Sequence, residues 1–140
     1  METSSITPKA YYGRLFERCA LSYCRYHSYR ILKRNLHMKM GEIDILAEDR
    51  EGNSLIVIEV RGRSKGNFTS SHMLSPQKIL RLQRMAELLA LRHRKGVRLE
   101  LLEIVGKLPA PGTVGCLRLK LLELFPLWHG LKWRALRIER

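Results

Sequence analysis

The feature that most constrains this chain is a pair of short, apolar β-strand patterns with acidic residues in their interior. The first reads Gly41-Glu42-Ile43-Asp44-Ile45-Leu46, and the second, after a polar turn, reads Leu55-Ile56-Val57-Ile58-Glu59-Val60-Arg61. Because side chains alternate across a strand, we expect Glu42 and Asp44 to share one face, and Glu59 and Arg61 to share one face. Burying these charges costs several kcal/mol per ion unless they are paired or bind a metal. The pair of strands therefore indicates a divalent-metal site.

Net charge indicates the partner. Lysine and arginine number 26 against 13 for aspartate and glutamate, which gives a formal net charge of +13. Such a field attracts polyanions and makes binding salt-sensitive, so nucleic acid is the expected partner, with a ribosome-associated or merely basic protein as the alternative. Taken with the acidic strands, the charge favours a site that hydrolyses phosphodiester bonds.

Length and composition indicate one folded domain. The chain has 140 residues, 45% of them apolar and 28% charged, which is enough to bury a core without disulfides. Cys19, Cys24 and Cys116 form no CxxC pair, and no histidine lies at zinc spacing from them. The most apolar region, residues 116–128, is interrupted by charged residues and a proline. We expect a single domain over residues 1–140, with a core at about 8–105 and an extension at about 106–140, no membrane association and a cytoplasmic location.

Local patterns predict alternating helices and strands. Cap-plus-proline signals at Thr7-Pro8 and Ser75-Pro76 precede apolar residues at helical spacing, which predicts helices over about 8–26 and from 76 to a point before Gly96. Strands are predicted at 29–35, 40–47, 54–63 and 97–105, followed by an edge strand at 131–139. The predicted fold class is α/β with an αβββαβ core. The Leu-rich stretch that ends at Phe125 fits a short helix or a strand equally well.

Several motifs resemble those of the YraN-like family of bacterial nuclease-like proteins. They are Gly13-x-x-x-Glu17-x-x-Ala20, Tyr29-Arg30-Ile31-Leu32 with Asn35, Gly41-Glu42-Ile43-Asp44 and Glu59-Val60-Arg61-Gly62-Arg63. The resemblance covers about residues 12–105 and implies a restriction-endonuclease-like fold, a mixed central sheet flanked by helices. It also implies the PD-(D/E)xK signature, which corresponds here to Asp44, Glu59, Arg61 and, on the first helix, Glu17. Archaeal Holliday-junction resolvases share this layout, which implies more weakly a preference for branched DNA.

The cofactor expected under this resemblance is Mg²⁺ or Mn²⁺. Mg²⁺ prefers hard oxygen ligands and retains several waters, so the predicted ligands are Asp44, Glu59 and the backbone carbonyl of Val60. Glu17 and Glu42 are assigned to outer-sphere waters or a second ion. Their alternatives are an exposed helical glutamate for Glu17 and an ion pair with Arg61 or a lysine for Glu42.

Position 61 departs from the signature, which has lysine there. Because a guanidinium stays protonated, Arg61 cannot act as a general base, although it can stabilise charge that develops on a phosphate. The predicted nucleic-acid contacts are Arg61, Arg63, Lys65, Gln77 and Lys78. Gln77 and Lys78 lie near a helix N-terminus, where backbone N–H groups favour anions, whereas a run of charge after the strand is also typical of a solvated face.

Three functions remain open from the sequence. The first is a Mg²⁺- or Mn²⁺-dependent endodeoxyribonuclease. The second is a nucleic-acid-binding module whose catalysis has lapsed, which Arg61 favours. The third is a protein-interaction component in which the Leu-rich segment from Gly106 pairs with itself, closing a homodimer, or with a partner.

Overall fold

The computed structural model describes residues 8–63, 74–106 and 132–138. Its elements are α1 (Pro8–Tyr26), β1 (Arg30–Met38), β2 (Gly41–Glu48), β3 (Ser54–Arg63), α2 (Pro76–His93), β4 (Gly96–Val105) and β5 (Lys132–Arg137). The predicted αβββαβ core is confirmed, with β1 extending three residues beyond its predicted end at Asn35. The Leu-rich stretch lies outside the described residues, so its conformation and its role in a dimer stay predictions.

The five strands form one mixed sheet in the order β1-β2-β3-β4-β5. Neighbouring strands are antiparallel except β3 and β4, which are parallel and are connected through α2. A parallel pair needs such a crossover, whereas antiparallel neighbours can be joined by short turns. The strand predicted at a sheet edge is β5, and it lies at the edge beside β4. The α/β class, the mixed sheet and the αβββαβ order of elements agree with the sequence prediction.

The sheet buries one apolar cluster on each face. The α1-side cluster joins helical residues such as Leu15, Cys19 and Tyr23 to Ile45, Ile56, Ile58 and Ile104. The α2-side cluster joins Leu82, Met85, Ala86 and Leu89 to Ile43, Leu46, Leu55, Val57 and Leu101. Helical spacing of three and four residues places each set of side chains on one stripe of its helix. Because β3 contributes to both clusters, it is covered on both faces, and its acid at position 59 has little access to solvent.

Two local features bring the helices close to the end of β3. Ser75 caps α2, with its hydroxyl accepting a hydrogen bond from the Lys78 N–H (3.1 Å), and Pro76 follows at the first turn. On the other face, Gly62 lies under the Phe16 ring, and a Cβ at position 62 would stand 2.1 Å from the ring. The glycine therefore permits α1 to approach β3 closely, which places the next helical residue, Glu17, near the acidic strands.

Candidate active site at the separation of two strands

Asp44 lies where β2 and β3 separate. Their backbone pairing runs from Glu48–Leu55 to Ile45–Ile58. Beyond it, the Asp44 carboxylate takes over as partner of β3 and accepts a hydrogen bond from the Val60 N–H at 2.8 Å. An oxygen of the side chain thus satisfies a strand donor that would otherwise lack an acceptor.

The strict alternation expected for β2 fails at Asp44. Ile43 packs in the α2-side cluster, whereas Ile45 packs in the α1-side cluster. Residues two apart in a regular strand share a face, so the strand is irregular between them. The prediction that Glu42 and Asp44 share one regular face is corrected accordingly. The irregularity places the Asp44 carboxylate beside Val60 and within electrostatic reach of acids from both faces of the sheet.

Glu59 is the buried acid of the site. Its side chain is 5% exposed, and its Oε1 lies 3.1 Å from Lys78 Nζ and 3.7 Å from a terminal nitrogen of Arg61. Its other oxygen, Oε2, is buried and has no hydrogen-bond partner within the described part of the chain. A buried carboxylate oxygen without a donor is costly, which makes this atom a natural ligand for a cation.

Burial is the main reason that the pKa of Glu59 rises, from 4.5 to about 7. The negative charge of Asp44 raises this pKa further, while Lys78 and Arg61 lower it. Each effect follows from the rule that desolvation and like charge disfavour the ionised carboxylate. Asp44 is therefore close enough to Glu59 for its charge to disfavour ionisation of the buried acid, as the sequence prediction of converging carboxylates requires.

Glu17 completes the acidic surroundings of Asp44 from the α1 face. Burial raises the pKa of Glu17, and the charges of Asp44 and Glu42 raise it further, against opposing effects of Arg34 and Arg14. Glu42 itself is more exposed and lies 3.6 Å from His37 Nδ1, its neighbour across β1 and β2. The alternative that paired Glu42 with Arg61 or a lysine finds no support among the described residues.

The carboxylates of Asp44 and Glu59 are of the type that binds a hard cation with few protein ligands. The described ranges contain no group of three or more His, Cys, Asp or Glu side chains placed to hold a metal. Mg²⁺ is commonly bound through one or two carboxylates, with water and substrate phosphate completing its shell. Asp44 and the unpartnered Oε2 of Glu59 supply two carboxylates of this kind, and a metal at this position stays a prediction.

The remaining predicted site residues fall into three groups. Arg61 and Lys78 reach the site and contact Glu59. Arg63 and Gln77 are exposed near it, and Lys65 lies outside the described residues. Lys78 was expected to meet phosphate and instead pairs with the buried acid. The N-terminal turn of α2 indicated that Lys78 was near the site, but only the packing of α2 on the sheet reveals its partner.

Sequence analysis missed three further buried acids on the sheet. Glu48 pairs with Arg30 and with Lys95 (2.6 Å), Glu100 with Arg98 (3.3 Å), and Glu103 with Arg134 (3.0 Å). Each has a basic partner, as Glu59 has Lys78 and Arg61; Glu59 in addition has the neighbouring acid Asp44, whose charge raises its pKa. Glu103 stands in an apolar run, as Glu59 does, so the same sequence signal was present for it.

Comparison with known proteins identifies the family. The family model for "Uncharacterised protein family UPF0102" matches residues 16–104, which is more than half of the chain. The chain belongs to this family. The predicted YraN-like resemblance is thereby confirmed, and the matched range includes α1 from Phe16, the strands β1 to β3 with Asp44 and Glu59, α2 and most of β4.

Relatives in the UPF0102 family are similar over part of their length. A UPF0102 protein of Nitrosococcus oceani is 42% identical over 71 residues, 50% of this chain and 56% of the relative. One from a Mycobacterium species is 33% identical and is covered over 60% of its length. One from Persephonella marina is 33% identical over 97 residues, 66% of this chain and 82% of the relative. The chain thus spans less than two thirds of the first two relatives.

Solved structures of low similarity were also found. A repair endonuclease from Pyrococcus abyssi aligns with a TM-score of 0.44 and 20% identity, covering 88% of this chain and 45% of that one. An EndoMS complex with double-stranded DNA aligns with a TM-score of 0.41 and 17% identity, covering 70% of this chain and 36% of that one.

Within the part of this UPF0102 chain that the structure describes, neither helix is long and apolar enough to span a membrane.

Proposed function

We propose that this protein is a Mg²⁺- or Mn²⁺-dependent endonuclease that hydrolyses phosphodiester bonds in DNA. The observation that carries the proposal is the juxtaposition of Asp44 and Glu59 where β2 and β3 separate. One acid is fixed by the Val60 N–H, and the other has a buried oxygen without a hydrogen-bond partner among the described residues. The charge of Asp44 raises the pKa of the buried Glu59, and a cation beside both acids would relieve that cost.

The residues around these acids suit a phosphodiester substrate. A divalent cation bound there supplies charge neutralisation at the phosphate and a more acidic water. Asp44 stays oriented by its hydrogen bond to Val60, and the half-buried Arg61 adds a cation that stabilises negative charge developing on the phosphate. The net charge of +13 draws the polyanion to the protein, and the exposed Arg63 extends the basic surface from the end of β3.

The test is cleavage of linear, nicked and four-way DNA with Mg²⁺ or Mn²⁺ by wild type, Asp44→Asn and Glu59→Gln. Asp44→Asn keeps an oxygen that can accept from Val60, so it removes charge with little change in the fold. We expect each variant to lose about 100-fold or more in rate, in line with the loss of a major electrostatic contribution. Glu51→Gln, in the exposed turn between β2 and β3, is the matched control and should cleave like wild type. Equal rates for all four proteins would refute the proposal.

A second candidate is a DNA-binding module on the same scaffold without turnover. The specific observation in its favour is that Lys78 and Arg61 both approach the Oε1 of Glu59, so the chain's own cations offset the charge of this acid. This candidate predicts salt-dependent DNA binding and no products with either metal. Retention of linear and four-way DNA at increasing salt, measured beside the cleavage assay, separates the two candidates. Wild-type cleavage that Asp44→Asn abolishes would rule out the binding module.

A further inference from the structure

Lys78 approaches the buried Glu59 from α2, whereas Arg61, at the position where the signature has lysine, approaches it from β3. Its Nζ lies 3.1 Å from Glu59 Oε1, closer than the 3.7 Å separating Arg61 from the same oxygen. The Lys78 side chain is 36% exposed, whereas that of Glu59 is 5% exposed. The ammonium is therefore the solvent-accessible partner of a buried carboxylate, as is the equally exposed Arg61, and Lys78 is the nearer of the two.

Lys78 carries the ammonium group that the signature has at position 61, where this chain has the guanidinium of Arg61. A lysine ammonium is a compact charge on a flexible four-carbon stem, whereas a guanidinium is planar and fixed in its geometry. The backbone of Lys78 is held by the Ser75 cap in the first turn of α2, where helix N–H groups also favour anions. A fixed backbone with a flexible charged end suits a residue that exchanges one anionic partner for another.

We propose that Lys78, rather than Arg61, is the principal cation at the scissile phosphate, and that it pairs with Glu59 only until a divalent ion and DNA are bound. This inference rests on the proposed endonuclease function. Glu59 would then hold the ion through its carboxylate, and the Lys78 ammonium would move to an oxygen of the phosphodiester. Lys78 thus serves in turn as a counter-ion of the resting site and as an electrostatic stabiliser of the reaction.

The proposal predicts opposite effects of one substitution on metal binding and on cleavage. Lys78→Gln removes a competitor of the metal for Glu59, so Mn²⁺ binding without DNA should strengthen about fivefold, as expected for loss of one nearby unit charge. The same substitution should lower kcat by about 100-fold with little change in KM, because the lost interaction belongs to the transition state. Electron paramagnetic resonance of Mn²⁺ and single-turnover cleavage measure the two quantities on the full chain.

Matched variants distinguish this role from simpler ones. Arg84→Gln removes the same charge from an exposed position of α2 and should leave both quantities within about twofold of wild type, given the small effect of screened surface charge. Arg61→Lys in the Lys78→Gln background should restore part of kcat, since it returns an ammonium to the strand. Thermal melts check folding, and Lys78→Met replaces Lys78→Gln if the latter melts below the assay temperature.

The outcomes separate the failure of this inference from that of the proposed function. Absence of cleavage by wild type overturns the endonuclease proposal together with the role of Lys78. If wild type cleaves and Lys78→Gln behaves like Arg84→Gln, only the role of Lys78 is overturned. A raised KM with unchanged kcat would reduce Lys78 to a phosphate contact. Weaker Mn²⁺ binding by Lys78→Gln would show that the ion pair merely supports the shape of the site.

Discussion

Replacing Glu59 with glutamine should stabilise the metal-free protein at high pH and leave its stability unchanged at low pH. Burial and Asp44 raise the pKa of Glu59 from 4.5 to about 7 in the folded chain. The folded state therefore binds more protons than the unfolded state between these values. The contribution of the protonated acid to stability is fully present below pH 4.5 and is lost as pH rises through about 7.

The structure sets the size of this effect. One pKa unit corresponds to about 1.4 kcal/mol, so the difference between 4.5 and about 7 corresponds to about 3 kcal/mol at pH 8. Glutamine resembles the protonated acid and carries no charge to desolvate. The substitution also removes the anionic partner of Lys78 and Arg61. These two cations lower the pKa of Glu59, and the value of about 7 already includes their effect. We expect Glu59→Gln to gain about 3 kcal/mol at pH 8 and nothing at pH 4.

The assay is urea unfolding of wild type and Glu59→Gln in a chelator at several values between pH 4 and pH 8. The difference in unfolding free energy between the proteins cancels the titration of the other acids. Glu51→Gln, treated identically, should show no trend with pH. A difference for Glu59→Gln that stays constant with pH, or a loss of stability at pH 8, would refute the reasoning that burial and Asp44 penalise the charge of Glu59.

Two further predictions concern packing. Gly62→Ala should destabilise the fold by about 1–3 kcal/mol, because its Cβ would overlap the Phe16 ring. Gly13→Ala has no atom within 4 Å of its Cβ and should stabilise α1 by about 0.5–1 kcal/mol. Urea unfolding measures both, and an unchanged stability of Gly62→Ala would contradict the close approach of α1. Burial raises the pKa values of Cys19 and Cys24 to about 12. In a Cys116→Ser background, neither thiol should therefore react with a disulfide reagent at pH 8 until the protein is denatured. Rapid labelling of the native protein would contradict the packing of α1.

Much of the fold follows from local patterns. The apolar run of β3 and the Ser75-Pro76 cap of α2 are strong enough to predict their elements within a residue or so. The meeting of Asp44 and Glu59 was also predictable, because a short polar turn joins two strands that carry acids at matching distances from it. These signals are short in range, so the sequence expresses them directly.

The finer geometry of the site was not predictable in the same way. Strand periodicity places Ile43 and Ile45 on one face, and only the packing of both sheet faces shows that they part at Asp44. The partner of Lys78 depends on the distance between α2 and β3, which no local pattern specifies. The burial of Glu103 could have been predicted, because it stands in an apolar run as Glu59 does. Its partner Arg134 could not, because that residue lies far along the chain.

The ion pair between β4 and β5 has a consequence for how the chain can be shortened. Arg134 lies beyond the family-matched range, yet it is the partner of Glu103, whose side chain is 1% exposed. A fragment that stops at Gly106 would strand that acid in the interior without its counter-charge, a defect that costs about 3–5 kcal/mol in comparable settings. Strand β5, which lies outside the family-matched range, thus contributes to the stability of the sheet, and the shortened fragment should be less stable unless Glu103 is neutralised as well.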